Sequence, residues 1–370
     1  MSWLRRIASR IDDALDERRM TARARDGQDE PVVLSPYPGW GTASRLHLGG
    51  CVTERAAEEV PREGAGLLHD LAVTVRRFTA TEIMGARVRA ACGGVEAVGE
   101  TDSDGFFELE LEVDSAPGWR GVRVTLEDFP GMTQAPLTVD ARALVPSPEA
   151  GIGVISDIDD TIIRTGIAEP LKNWRTIVES DADARVAFPG LPALYRGLQT
   201  AGGGGAAMRP IFYVSSGSWR LYGLIERFMV LNDIPRGPKF MDDWGLTKDR
   251  WFKSSHGAHK SAAIDRLMES YPQLRFILVG DSGQADAQIY AEAAARHPGR
   301  VLAVWIRDVS GDARDAEVAA LLEQTRGADI PVFIEKTLIE AARDAAARGW
   351  LKAGALAEVE REVAKAQAEG

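Results

Sequence analysis

The sequence has 370 residues, enough for two domains with cores of their own, and its 45% hydrophobic and 27% charged residues are the mix of an ordinary globular protein. A formal net charge of -11 argues against general nucleic-acid binding, since no long basic stretch offsets it. Two cysteines, Cys51 and Cys92, are too few for a disulfide framework and too far apart for a zinc knuckle, and predict free thiols in a reducing cytoplasm.

In chain order, residues 1–30 open with Trp3, Leu4, Ile7, Ile11 and Leu15 at helical spacing, with Arg5, Arg6 and Arg10 early and Asp12, Asp13, Asp16 and Glu17 later. An amphipathic helix and a Pro/Gly-punctuated linker are predicted there. Such a helix packs on the protein itself or lies peripherally on an anionic membrane surface. It has neither the apolar core nor the cleavage site of a signal peptide, and no stretch reaches the roughly 20 apolar residues of a membrane-spanning helix. Residues 31–147 alternate apolar and polar positions in "LAVTVRRF", "GARVRAAC", "GFFELELEV" and "GVRVTLED", with a tight turn at Asp104 and Gly105, and predict a small antiparallel β-sandwich. After the prolines of "ALVPSPEAG" the pattern changes. Across residues 148–326 the apolar runs "GIGVIS", "PIFYVSS", "RFILVGD" and "RVLAVWIRD" are separated by helical segments, which predicts an α/β domain with a doubly wound parallel sheet. Residues 327–370, rich in Ala, Glu, Arg and Lys, predict a helical C-terminal extension.

Ligands of such sheets sit at the carboxyl ends of the strands, so the polar residues at those ends carry the information. "GVISDIDDTI" puts Asp157, Asp159 and Asp160 directly after an apolar run, and like charges that close repel unless something neutralises them. Magnesium, a hard cation that takes carboxylate oxygens, offsets that repulsion. Ser215 and Ser216 end a second strand and Asp281 a third. This set suits phosphoryl transfer through a covalent aspartyl-phosphate: Asp157 attacks phosphorus, and Asp159 protonates the leaving oxygen. A hydroxyl and backbone amides from Ser215 to Gly217 hold the phosphoryl oxygens, and Lys260 neutralises the remaining charge.

These motifs resemble those of the haloacid dehalogenase phosphatase superfamily, with "DIDDT" as the first, "FYVSS" the second, Lys260 the third and "GDSGQAD" the fourth. More narrowly, "VISDIDDTIIRTG", "FPGLPALYRGL", "FYVSSGSWRLYGLIERFM", "HKSAAIDRLMESYPQLRFILVGDSGQADAQIYAE" and "RVLAVWIRDV" resemble the catalytic domain of the actin-patch-type phosphatidate phosphatases, from about Gly151 to Val309. The resemblance implies a haloacid dehalogenase-like fold and magnesium-dependent hydrolysis of phosphatidate to diacylglycerol and phosphate. It makes Asp157 nucleophile and metal ligand, Asp159 acid/base with its carbonyl on the metal, and Thr161 the residue steadying the loop. Ser215 binds the phosphoryl group with Ser216 and Gly217, and Lys260 stabilises its charge. Asp281 completes the metal shell, supported by Ser282, and Asp286 orients lysine or metal-bound water. One departure is the flexible insertion "QTAGGGGAAMRP" before the second motif.

The four motifs recognise phosphate and not the rest of a substrate, so a phosphatase of soluble sugar phosphates or nucleotides is the rival reading, and a non-catalytic scaffold the third. The short segment between the first two motifs leaves no room for a large folded lid, which favours a bulky or membrane-bound substrate. His256 and His259, near Lys260, either touch substrate or are incidental.

Overall fold

The computed structural model describes residues 32–54, 82–132, 135–159, 161–162, 187–219, 222–242, 256–282, 285–309 and 312–369. The expected N-terminal helix, the run "LAVTVRRF" and Asp160 lie outside these residues. The chain divides into two compact units, Met1–Ser115 with Arg120–Ala143, and Ala116–Trp119 with Leu144–Gly370. Among the described residues no helix is long and apolar enough to cross a membrane, and Cys51 and Cys92 are both free thiols.

The first unit is built on strands β1 (Val32–Pro36), β2 (Gly39–Gly41), β3 (Leu46–Glu54), β4 (Arg87–Cys92), β5 (Val95–Glu100), β6 (Phe106–Leu111), β7 (Gly118–Asp128) and β8 (Leu137–Val145). Alternation does what the sequence pattern requires: Val122, Val124 and Leu126 of β7 are buried while Gly121 and Arg123 face out. The turn before β6 is fixed by Asp102, whose Oδ1 accepts from the backbone N–H groups of Asp104 at 3.0 Å and Phe106 at 2.9 Å. Gly105 has a φ of 68°, a left-handed conformation suited to glycine. Hydrogen bonding joins all eight strands into one sheet rather than two separate layers. The reason is the length of β3, whose nine residues pair antiparallel with β1 and β2 and also with β6. Leu109 of β6 lies beneath Gly99 of β5, so the sheet folds over on itself.

The second unit holds a six-stranded parallel sheet in the order β11 (Lys239–Asp242), β10 (Ile211–Ser218), β9 (Ile152–Asp157), β12 (Arg275–Asp281), β13 (Val301–Arg307) and β14 (Val332–Glu335). The chain builds outward from β9 to β11, then returns to β12 and builds outward on the other side. The reversal at β9 and β12 opens the crevice where such sheets bind ligands. All six residues of β9 are buried, as a central strand covered on both faces must be. The helices are α1 (Leu191–Ala201), α2 (Tyr222–Leu231), α3 (His256–Ser270), α4 (Asp286–Arg296), α5 (Asp312–Gly327), α6 (Ile339–Ala347) and α7 (Ala353–Glu369).

The pleat shows which helix covers which face. Ser156 meets Tyr195 of α1, whereas the next residue, Asp157, meets Lys260 of α3, and successive residues of a strand point to opposite faces. Hence α1 covers one face near β9, and α3 covers the other. Helix α1 buries Leu191, Leu194, Tyr195 and Leu198 at helical spacing. It begins after Gly190, whose φ of 82° and closeness to Val359 and Val363 of α7 leave no room for a side chain. The glycine-rich stretch after α1 forms a single 3-10 turn, Gly205–Ala207. The C-terminal residues add strand β14 to the sheet as well as helices, with α7 packed on α1.

Candidate active site

Three adjacent strands end in the polar residues singled out above. Asp157 is the last residue of β9 and Asp281 the last of β12, and Ser215 to Gly217 lie near the end of β10. Pairing between β10 and β11 is regular through Val214 and shifts before Ser218, so Ser215–Gly217 sit in an irregular stretch, a feature that re-aims side chains beside active sites. There the Ser215 hydroxyl donates to Asp159 Oδ2 at 2.7 Å and accepts from the Gly217 backbone N–H at 2.9 Å. Ser216 is half-buried in the same stretch.

Lys260 enters from α3, almost wholly buried. Its Nζ lies 2.6 Å from Asp157 Oδ1 and 2.7 Å from Asp286 Oδ1. Burial works to lower the pKa of this ammonium, but the two carboxylates outweigh burial and raise it, so Lys260 is a fixed positive charge. Asp286, in the first turn of α4, also accepts from the Asp281 backbone N–H at 3.3 Å. Asp281 is fully buried. Ser282 stitches two strand tips together, its N–H donating to Arg307 O at 2.9 Å and its Oγ accepting from Val309 N–H at 3.0 Å.

Asp157, Asp281 and Asp286 each offer an oxygen, all within 4.8 Å of one another. At that spacing two carboxylates repel by about 3.5 kcal/mol for an effective dielectric of about 20. Among the described residues three carboxylates against one ammonium leave two formal negative charges, and burial pushes the Asp157 carboxyl well above its usual range despite the nearby lysine. Among the described residues Asp157 Oδ2 is buried and accepts no hydrogen bond. An open buried oxygen in a hard-oxygen cluster with two charges to balance fits a divalent cation such as magnesium.

The structure therefore brings together Asp157, Asp159, Ser215, Gly217, Lys260, Asp281, Ser282 and Asp286. Thr161 is buried on the turn closed by the Ile162 N–H to Ile158 O bond, and its hydroxyl has no hydrogen-bond partner among the described residues. His259 is buried next to Lys260, and the side chain of His256 lies outside the described residues. Two residues passed over in the sequence are Ser156 and Tyr195. The Ser156 hydroxyl lies 2.7 Å from both the Asp157 carbonyl oxygen and the Tyr195 hydroxyl. The available signal was a lone hydroxyl residue inside the apolar run before Asp157.

Gly280 gives the cluster its space. A Cβ there would stand 2.5 Å from Asp286 Oδ2 and 2.7 Å from Tyr290 Cε2. Gly280→Ala is expected to cost about 1–3 kcal/mol of stability as an overpacked site, read as a lower urea midpoint. It should also lower turnover, by pushing Asp286 off Lys260; wild-type turnover would show that the spacing is dispensable.

Residues 152–308 match the family described as "Phosphatidate phosphatase APP1, catalytic domain". Over these residues the chain is similar to that family. It is 31% identical over 218 residues to a Saccharomyces cerevisiae protein named "Phosphatidate phosphatase APP1", a match covering 59% of this chain and 35% of the relative. An uncharacterized protein of Schizosaccharomyces pombe is 27% identical over 164 residues, covering 44% of this chain and 26% of its own. The chain thus spans about a third or less of the length of the curated relatives it matches. A carbohydrate acetylesterase from Xanthomonas citri overlaps 73% of this chain and 66% of its own at a TM-score of 0.24 and 11% identity, too distant to bear on fold or function.

Proposed function

We propose that this chain is a magnesium-dependent phosphatase with a haloacid dehalogenase-like catalytic domain, hydrolysing phosphatidate to diacylglycerol and phosphate through an aspartyl-phosphate on Asp157. The observation that carries the reading is the Asp157 carboxylate at the tip of the central strand, with Oδ1 held by Lys260 and Oδ2 open. The family match over the same residues supports the substrate class.

In this reading Asp157 Oδ2 attacks phosphorus, an acyl phosphate forms, and the bond to the diacylglycerol oxygen breaks. Asp159 gives that oxygen its proton. Asp159 then takes a proton from water as the water attacks phosphorus, which releases inorganic phosphate and restores Asp157. Ser215 and the Gly217 N–H hold phosphoryl oxygens, and Lys260 works against burial to favour the ionised Asp157 while Asp286 holds Lys260 in place. Asp157, Asp281 and the carbonyl of Asp159, with Ser282 supporting the Asp281 tip, would hold magnesium, which would supply charge neutralisation for a phosphate dianion. Residues 1–19 add a peripheral membrane contact to this reading.

A phosphate-release assay of the purified protein tests the substrate, comparing phosphatidate in detergent micelles with sugar phosphates, nucleotides and nitrophenyl phosphate. A kcat/KM at least tenfold higher for micellar phosphatidate is expected. Preference for a sugar phosphate or nucleotide would replace this reading with the soluble-substrate one.

A further inference from the structure

We infer that Ser156 and Tyr195 are positioning residues for attack by Asp157, reaching its backbone from the face of the sheet opposite the three acids. The inference rests on the reading of Asp157 as nucleophile.

The chain of bonds has one direction. A serine hydroxyl carries a single proton, and the Ser156 hydroxyl donates it to the Asp157 carbonyl at 2.7 Å. Ser156 Oγ is then the acceptor at 2.7 Å from Tyr195, so the Tyr195 hydroxyl is the donor. Both residues are fully buried. Burial raises the Tyr195 pKa, so its hydroxyl stays neutral and remains a donor throughout the working pH range.

The placement of this relay matters because the pairing of β9 with β10 ends at Asp157, opposite Val214, and its pairing with β12 ends one residue earlier, at Ser156. Asp157 is where the chain leaves the sheet to form the loop carrying Asp159. The relay fixes the peptide plane at this exit, and that plane sets both the direction of the Asp157 side chain and the course of the chain to Asp159. Lys260 and Ser215 hold the two carboxylates from above, while Ser156 and Tyr195 hold the backbone between them from below. A buried serine and tyrosine are costly unless paired, and here the Tyr195 hydroxyl is satisfied by Ser156 and the Ser156 hydroxyl by Tyr195 and the Asp157 carbonyl. Catalysis of this kind is sensitive to displacement, and a misplacement of about 1 Å costs on the order of 100-fold in rate.

The test separates positioning from stability. Ser156→Ala alone leaves the Tyr195 hydroxyl buried without its acceptor and is expected to lower the thermal midpoint. The double variant Ser156→Ala/Tyr195→Phe removes both hydroxyls, so it relieves the unpaired Tyr195 group that the single variant buries and takes from the Asp157 carbonyl only its Ser156 donor. Its midpoint should return towards wild type while kcat on nitrophenyl phosphate stays about tenfold or more below it, with KM unchanged. Phosphoenzyme formation in a single turnover should slow by the same factor. Tyr195→Phe, which keeps the ring and the Ser156 bond to the carbonyl, should show a smaller fall in kcat and serves if the double variant does not fold. Wild-type kcat in either the double variant or Tyr195→Phe overturns the inference. Asp157→Asn is run alongside: if that variant retains turnover, the assignment of the nucleophile fails, whatever the hydroxyl variants do.

Discussion

Asp157→Asn is expected to abolish turnover with every phosphomonoester, because it removes the attacking oxygen while keeping the shape of the side chain. Asp159→Asn should behave differently, since it removes the proton donor and leaves the nucleophile in place. General acid catalysis is typically worth about 100- to 10,000-fold, and its loss is felt most where the departing group is a poor anion. The alkoxide of diacylglycerol is such a group, whereas nitrophenolate leaves readily without a proton. The fall in kcat should therefore be large for phosphatidate and much smaller for nitrophenyl phosphate, as a comparison of steady-state rates on both substrates will show. Equal losses on both would remove Asp159 from the role of acid, and a trappable phosphoenzyme in Asp157→Asn would remove Asp157 from that of nucleophile.

Chelation is the second large effect. With Asp157, Asp281 and Asp286 within 4.8 Å of one another and Lys260 paired with two of them, removing divalent ions should abolish turnover and lower the thermal midpoint together. Saturation at about 100 times the dissociation constant restores about 2.7 kcal/mol of stability. Magnesium should recover both activity and midpoint. Calcium, with longer bonds and a looser shell, should recover the midpoint better than the activity. Full activity in excess chelator would overturn the metal requirement, and a midpoint indifferent to magnesium would place the ion elsewhere.

The legibility of this architecture follows from burial. Strands β9, β10, β12 and β13 are covered on both faces, so they read as continuous apolar runs, and the polar residues that end them stand out by contrast. Edge strands β11, "KFMD", and β14, "VFIE", are only four residues long and carry charged ends, so no run marked them. In the first unit alternation marked β4, β6 and β7, but the joining of all eight strands through β3 depends on pairings between distant segments and left no local trace. The same distinction holds in the site. Asp157, Asp281 and Lys260 are visible because each stands at a strand end or a helix start. The entry of Asp286 into the acidic cluster depends on α4 packing over Gly280. The meeting of Ser156 with Tyr195 spans 39 positions and exists only once α1 covers the sheet.

The alternation of Ser156 and Asp157 across β9 also limits how this chain can vary. Side chains repeat every two residues along a strand, so inserting or deleting one residue between Ile152 and Ser156 would exchange the two faces. The carboxylate would then be driven into the tyrosine layer beneath α1, and the serine would be offered to Lys260. A change of two residues keeps each side chain on its own face. The strand can thus be lengthened or shortened only by an even number of residues, and a slip of one position would remove the site rather than weaken it.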